Sequence, residues 1–359
     1  MYEPPYKQQS KELADPDLES SSPTFPKEEM PDPIHDTAVR CKPHHGHGTS
    51  QSMPNANSCK PDYPPSTIKL ITDYHRAHSN SLRLAHCVGT NAETTNFLRT
   101  LADYFQHIHI SDPNPNNITR VRAELSDWYQ QNWWKAKFSF SVTGAQEADL
   151  SFVERSVDFC CLMDCAYRTE NVDGMVAAVG RSLAPNGTLV LVQVGDGCRV
   201  VDDAAADQAV QRLFRAVSEE MAREADHAGL KGIEQRNSGL DYVPLPDPDF
   251  IQDVTKRIKI NVRDGSNSSF AIPGKEHLVA ASRAGPLHRK YEYAHSDAEA
   301  EGWSQVVDAG WSGQHVASLT HEGNITPFEQ QLRDVEASFR AGDKVVVDWP
   351  VAVLLATKK

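Results

Sequence analysis

The sequence predicts an α/β fold, a doubly wound and mostly parallel sheet with helices on both faces. Three observations predict it. Leu82 to Asp112 reads strand, tight turn, helix, strand, acidic residue. Val157-Asp158-Phe159-Cys160-Cys161-Leu162-Met163 and Thr188-Leu189-Val190-Leu191-Val192 are apolar runs, the first around one Asp, with a helical pattern from Val172 to Leu183 between them. Val351-Ala352-Val353-Leu354-Leu355 is a further apolar strand near residue 359. Runs without polar alternation suit strands covered on both sides, and strands that alternate with helices indicate parallel pairing.

In the first stretch, Leu84-Ala85-His86-Cys87-Val88 is the strand and Gly89-Thr90-Asn91 the turn. Leu98, Leu101 and Phe105 share a helix face, and Ile108-His109-Ile110 leads to Asp112. In doubly wound folds such a unit binds a nucleoside: glycines let the backbone approach the ligand and the acidic residue takes ribose hydroxyls. The turn here is poor in glycine. Asp112 before Pro113 also has a plainer reading, as a good turn. His107 and His109 fall on a buried strand and read as core residues.

Ahead of this unit, Lys60-Pro61-Asp62-Tyr63-Pro64-Pro65 is a stiff extended lead-in, and Ser66 is expected to cap a helix carrying Ile68, Ile71 and Tyr74. Beyond it, Asn117 to Trp134 reads as a helix with Trp128, Trp133 and Trp134 near its end, aromatic packing being the reading preferred over a substrate cage. Phe138-Ser139-Phe140-Ser141-Val142 alternates as a third strand, followed by the loop Gly144-Ala145-Gln146-Glu147. Ala184-Pro185-Asn186-Gly187 is expected to end the 172–183 helix.

Val210, Leu213, Phe214, Val217 and Met221 mark an amphipathic helix. From there to about residue 320 the pattern is irregular, with an extended stretch at Ile258-Lys259-Ile260. Residues of about 200–320 are therefore expected to form a lid insertion over the ligand side of the sheet, where loops at the carboxyl ends of strands bind ligands. Thr326-Pro327-Phe328-Glu329 reads as a capping box opening a helix with Leu332, Val335 and Phe339.

The bulk composition narrows the function. Of 359 residues, 49 are acidic and 36 are Lys or Arg, a net charge of −13, which argues against a general nucleic-acid binder. No apolar run reaches membrane-spanning length, and the N-terminal region has no apolar signal segment, so a cytoplasmic protein is expected. The seven cysteines follow no framework spacing and read as reduced thiols. Residues 1–58 are rich in Pro, Ser, Glu and Asp and read as a disordered tail, leaving 59–359 as the folded domain. Cys41, His44, His45 and His47 in that tail fit no standard zinc spacing, so no metal site is expected.

Several elements, in order, carry a resemblance. They are Lys60-Pro61-Asp62-Tyr63-Pro64, Gly89-Thr90-Asn91, Asp112-Pro113, Ser156-Val157-Asp158, and Arg181-Ser182-Leu183-Ala184-Pro185-Asn186-Gly187-Thr188-Leu189. Gly239-Leu240-Asp241-Tyr242-Val243-Pro244-Leu245-Pro246 and Trp349-Pro350-Val351 complete the set. Over about residues 60–359 the chain resembles class I S-adenosylmethionine-dependent methyltransferases, most of all the fungal relatives of trans-aconitate methyltransferase. The resemblance implies a Rossmann-like sheet of seven strands with the last antiparallel. It implies S-adenosylmethionine held by Gly89, Asn91, Asp112 and Gln146.

The chain departs from the family at the turn. The family's acidic position falls at Ala85, and its three glycines fall at Cys87, Gly89 and Asn91. Each lost glycine puts a Cβ near the cofactor's methionine part, while Asn91 tolerates left-handed geometry better than most residues. The family's His-Trp pair past the fourth strand is replaced by Asp164-Cys165-Ala166-Tyr167-Arg168-Thr169-Glu170. There Arg168 or Tyr167 is a candidate to hold an anionic or phenolic substrate, the alternative being a surface loop with its charges solvated; Tyr63 is a further candidate for contact with the small-molecule substrate.

The function implied is methyl transfer to a small molecule of fungal secondary metabolism. The alternatives are a methyltransferase-fold protein that acts as a non-methylating cyclase, dehydratase or isomerase, or a non-enzymatic partner subunit that stabilises an active methyltransferase.

Overall fold

The chain folds into its first helix, α1 (Pro65–His78), out of extended backbone at Pro64. Pro65 suits the first helical position because its missing N–H would have no intrahelical partner there. Ser66 is inside the first turn rather than at the cap; its hydroxyl donates to the carbonyl of Glu301 at 2.6 Å. In this computed structural model the described residues are 60–90, 94–132, 134–262, 267–271, 273–308, 310–320, 323–339 and 344–359. The expected tail, Asn91 and Trp133 lie outside them.

The first half alternates strand and helix as the sequence predicts: β1 (Leu84–Val88), α2 (Thr94–Leu101), β2 (His107–Ser111), α3 (Pro115–Asn132), β3 (Lys137–Ser141), β4 (Val157–Met163), α4 (Val172–Ser182) and β5 (Leu183–Val194). Asn171 caps α4, its side chain accepting from the Gly174 amide at 2.9 Å. Ala184-Pro185-Asn186-Gly187, expected as a helix stop, already belongs to β5. Val157 pairs with Leu183 but Phe159 with Thr188, so these four residues bulge from the ladder, with Asn186 at φ +62°.

The second half holds β6 (Arg199–Val200), α5 (Ala204–Glu224), α6 (His227–Asn237), β7 (Lys256–Ile260), β8 (Arg289–Tyr293), β9 (Ser304–Val307), α7 (Gly310–Leu319), α8 (Glu329–Ser338), β10 (Val345–Asp348) and β11 (Val351–Thr357). The stretch read as irregular is therefore well supplied with elements. The helix at Glu329 forms, preceded by a short 3₁₀ turn over Thr326–Phe328, but no side chain caps it.

The main sheet has the order β3-β2-β1-β4-β5-β11-β7-β8. The first five strands are parallel, and β11 runs antiparallel to both of its neighbours. This is the expected Rossmann-like sheet of seven strands with the last antiparallel, extended by β8 at one edge. Ile258-Lys259-Ile260, read as part of a lid, is in β7 and belongs to this sheet. The chain between β7 and β11 carries β8, β9, α7, α8 and β10, and a second antiparallel sheet has the order β6-β10-β9.

Strand alternation divides the core in two. Cys87, Ile110, Cys161, Val192 and Val353 join the buried residues of α1, α2 and α3 in one cluster. Val88, Cys160, Leu162, Leu191 and Leu354 join those of α4 in the other. A polar seam crosses β1, β2 and β3. His86 Nε2 bonds Ser111 Oγ at 2.7 Å, and His109 bonds Ser139 and Ser141, each at 2.8 Å. Phe152 packs on both rings. Burial keeps both imidazoles neutral: it pushes His109 down to about 4 and His86 well below its usual value.

Candidate active site at the carboxyl ends of the strands

β1 ends at Val88, and Gly89 then takes φ +85° and donates its amide to the Ser111 carbonyl at 2.9 Å. A Cβ here would come within 2.9–3.0 Å of Cys165 and of the Met163 carbonyl, so both conformation and space require glycine. The turn delivers Thr90 to Asp112. Asp112 Oδ2 accepts from the Thr90 amide (2.8 Å) and hydroxyl (3.1 Å), and Oδ1 accepts from the Asn114 amide (2.8 Å) and Asn117 Nδ2 (3.2 Å). The carboxylate is thereby fixed and largely buried at the tip of β2.

The other expected cofactor residues divide. Gln146 is exposed on the loop after β3, whose Gly144 faces Pro113 beside Asp112. Asn91 is not among the described residues. Ala85 is buried in mid-strand, paired with Ile108 and Phe159. Cys87 does not crowd the turn: its sulfur is in the core, 3.8 Å from that of Cys161.

Tyr63, Tyr167 and Arg168 are not brought together. Tyr63 is buried between Phe97 and Trp303, with ring centroids 5.7 and 5.8 Å away. Tyr167 and Arg168 line a cleft of about 290 Å³ between the turn after β4 and α6, which contributes Ala228, Lys231, Ile233 and Arg236. Arg236 stacks over the Tyr167 ring at 4.1 Å, and both Arg236 Nη2 and Arg168 Nε (3.0 Å) donate to the Tyr167 hydroxyl oxygen.

Behind this wall is a buried ionic cluster that sequence reasoning missed. Lys60 Nζ reaches Asp164 Oδ2 (3.3 Å), Asp196 Oδ1 (3.1 Å) and the Val194 carbonyl (3.1 Å), and Asp196 also binds Arg236. Burial alone would lower the Lys60 pKa, but Asp164 and Asp196 more than reverse it and hold the ammonium charged. Burial alone would raise Asp196, but Arg236 and Lys60 bring it down to about 2. The cluster thus joins the lead-in, the ends of β4 and β5, and α6. Its only sequence signal was position: Asp164 and Asp196 each come one or two residues after a buried strand.

Tyr242 belongs to the Gly239–Pro246 motif, whose pattern alone assigns it no role. It sits on a strained loop, Gly239 at φ +53° and Leu240 at φ +67°. The loop is clamped by buried Arg257, which donates to the carbonyls of Leu240 (2.6 Å) and Val243 (2.8 Å). The Tyr242 hydroxyl is buried without a hydrogen-bond partner among the described residues, within electrostatic reach of Cys165, Tyr167, Asp164 and Arg236. Burial pushes its pKa well above the usual phenol range.

Comparison with known proteins bears on what such a corner does. No known family profile matches the chain. Methyltransferase gedG of Aspergillus terreus is 22% identical over 307 residues, which cover 83% of this chain and 89% of gedG. Methyltransferase tpcM of Aspergillus fumigatus is 24% identical over 305 residues, covering 84% and 89%. The chain is similar to these fungal methyltransferases over most of its length. A methyltransferase enzyme is what this likeness supports. Among solved structures, a type II methyltransferase of Anaeromyxobacter dehalogenans covers 83% of this chain and 97% of its own, at 15% identity and a TM-score of 0.45.

Proposed function

We propose that the protein is an S-adenosylmethionine-dependent methyltransferase of the branch that includes fungal trans-aconitate methyltransferase relatives. Its acceptor is a small molecule of secondary metabolism bound in the cleft between the β4 turn and α6. The observation that carries this reading is Asp112, fixed at the tip of β2 beside the left-handed Gly89 turn. That is where a doubly wound sheet receives a ribose. The left-handed Gly89, where any Cβ would clash, supports the fit by keeping the turn beside Asp112 free of a side chain. Asp112 would hold the ribose, Gly89 and Thr90 would present backbone to it, and Gln146 and Asn91 would flank it.

When bound, the cofactor supplies an electrophilic methyl group. The chain's own residues supply position. Lys60, Asp196 and Arg236 lock α6 to the sheet, and α6 then sets Tyr167 and the cleft wall. A fixed wall orients an acceptor, and orientation is a large share of catalysis in an in-line displacement. No helix among the described residues is long and apolar enough to cross a membrane; a cytoplasmic location is part of the proposal.

Calorimetry with S-adenosylmethionine tests the reading. Saturable binding is expected, weakened about tenfold or more by Asp112→Ala, the loss of charge-assisted hydrogen bonds. Absence of binding at millimolar cofactor would overturn it. One observation favours the second reading, a methyltransferase-fold protein that does not use the cofactor: both oxygens of Asp112 already accept from protein donors. The same titration separates the two.

A further inference from the structure

The Tyr167 hydroxyl oxygen receives two guanidinium donors, Arg168 Nε at 3.0 Å and Arg236 Nη2. A phenol oxygen has two lone pairs and one hydrogen. With both lone pairs engaged, what Tyr167 has left is its O–H hydrogen, which a cationic donor cannot accept. Tyr167 lines the cleft, so that hydrogen is available to a group inside it.

The charges around the cleft point the same way. Arg236 is matched by Asp196. Arg168 and Lys231 have no ion pair with a carboxylate among the described residues: Arg168 donates to Tyr167, and Lys231 Nζ to the Glu170 carbonyl at 2.8 Å. Glu170 is the one acidic residue of the lining. A hydroxyl hydrogen and two cations without carboxylate partners converge on a space of about 290 Å³, the small end of the range for small-molecule sites.

We propose that this cleft is an oxyanion-binding site, in which Tyr167 donates its hydroxyl hydrogen and Arg168 and Lys231 supply charge to an acidic oxygen, carboxylate or phenolate, of a small aromatic-sized ligand. Resting on the methyl-transfer reading, this makes the acidic oxygen the acceptor's anchor. Arg236 is a positioning residue: it fixes the Tyr167 ring by stacking and directs its hydrogen outward.

The test is calorimetry on the full chain with benzoate and 4-nitrophenolate, against benzamide as the neutral counterpart of benzoate. Benzoate or 4-nitrophenolate is expected to bind, and benzamide at least tenfold more weakly. Preference between the two anions assigns the source of the oxygen. Tyr167→Phe and Arg168→Met are each expected to weaken the anion by about tenfold to a hundredfold, the range for hydrogen bonds to charged groups. Lys231→Met, on the exposed side of α6, perturbs no packing and should weaken it several-fold. Equal affinity for benzoate and benzamide, no saturable binding of either anion at millimolar concentration, or wild-type affinity in all three variants would overturn the proposal. The cofactor titration is read separately. Anion binding without cofactor binding removes methyl transfer and leaves this site standing; cofactor binding without anion selectivity does the reverse.

Discussion

Acid should weaken this protein through its buried histidines, and His109 allows the size to be worked out. Its ring is held between Ser139 and Ser141 and next to His86, and burial brings its pKa down to about 4. In the unfolded chain an imidazole titrates near ~6.5. A depressed folded value means that the unfolded chain binds the proton first. The stabilisation is complete above about pH 6.5 and is lost as the pH falls toward about 4. Acidifying from about pH 7.5 to about pH 5 therefore costs ~2 kcal/mol at His109. His315, also lowered to about 4 with burial as the main cause, adds a similar ~2 kcal/mol. Against a usual total of ~5–15 kcal/mol the sum is large. Urea unfolding followed by tryptophan fluorescence at the two pH values measures it. His109→Gln keeps a polar side chain between the two serines but cannot titrate, so this variant should lose ~2 kcal/mol less on acidification. Equal urea midpoints for the wild type at both pH values would refute the reasoning, as would equal acid losses in wild type and variant.

Three further outcomes follow from the geometry. Lys60→Met leaves Asp196 buried with one cation in place of two and should cost about 3–5 kcal/mol in urea unfolding, the usual range for breaking a buried pair. Gly89→Ala forces a left-handed Cβ against Cys165 and should lower stability by at least about 1–2 kcal/mol, read as a fall in Tm. Asn171→Ala removes the α4 cap and should cost about 1 kcal/mol in the same assay, without changing ligand binding.

The parts of the fold legible in the sequence are those whose burial comes from local pattern. Strands β4 and β5 are apolar on both faces and announce themselves; so does β1 with its glycine turn. Strand β7 shows only as an extended stretch and not as a member of the sheet, because Lys256-Arg257-Ile258-Lys259-Ile260 interleaves charge with isoleucine. It enters the sheet because distant groups neutralise it: carbonyls of the 240–243 loop take Arg257, and Asp241 takes Lys259 at 3.2 Å. Helix α6 carries two glycines and little apolar periodicity, and it is held by Arg236 through Asp196. In the site, Asp112 was readable from its place at a strand end. Cys87 was misread because counting along the turn cannot say which way a side chain leaves a strand. The Lys60–Asp164–Asp196–Arg236 cluster gathers residues from positions 60 to 236 and has no motif to find.

The antiparallel placement of β11 has a consequence for synthesis. It lies between β5 and β7, pairing with seven residues of one and five of the other. A nascent chain translated only to residue 350 would expose two unmatched strand edges in what becomes the middle of the molecule. Such edges are templates for intermolecular pairing. Closure of the sheet must therefore await the translation of residues 351–357, and a ribosome stalled shortly before them would leave a chain prone to aggregate.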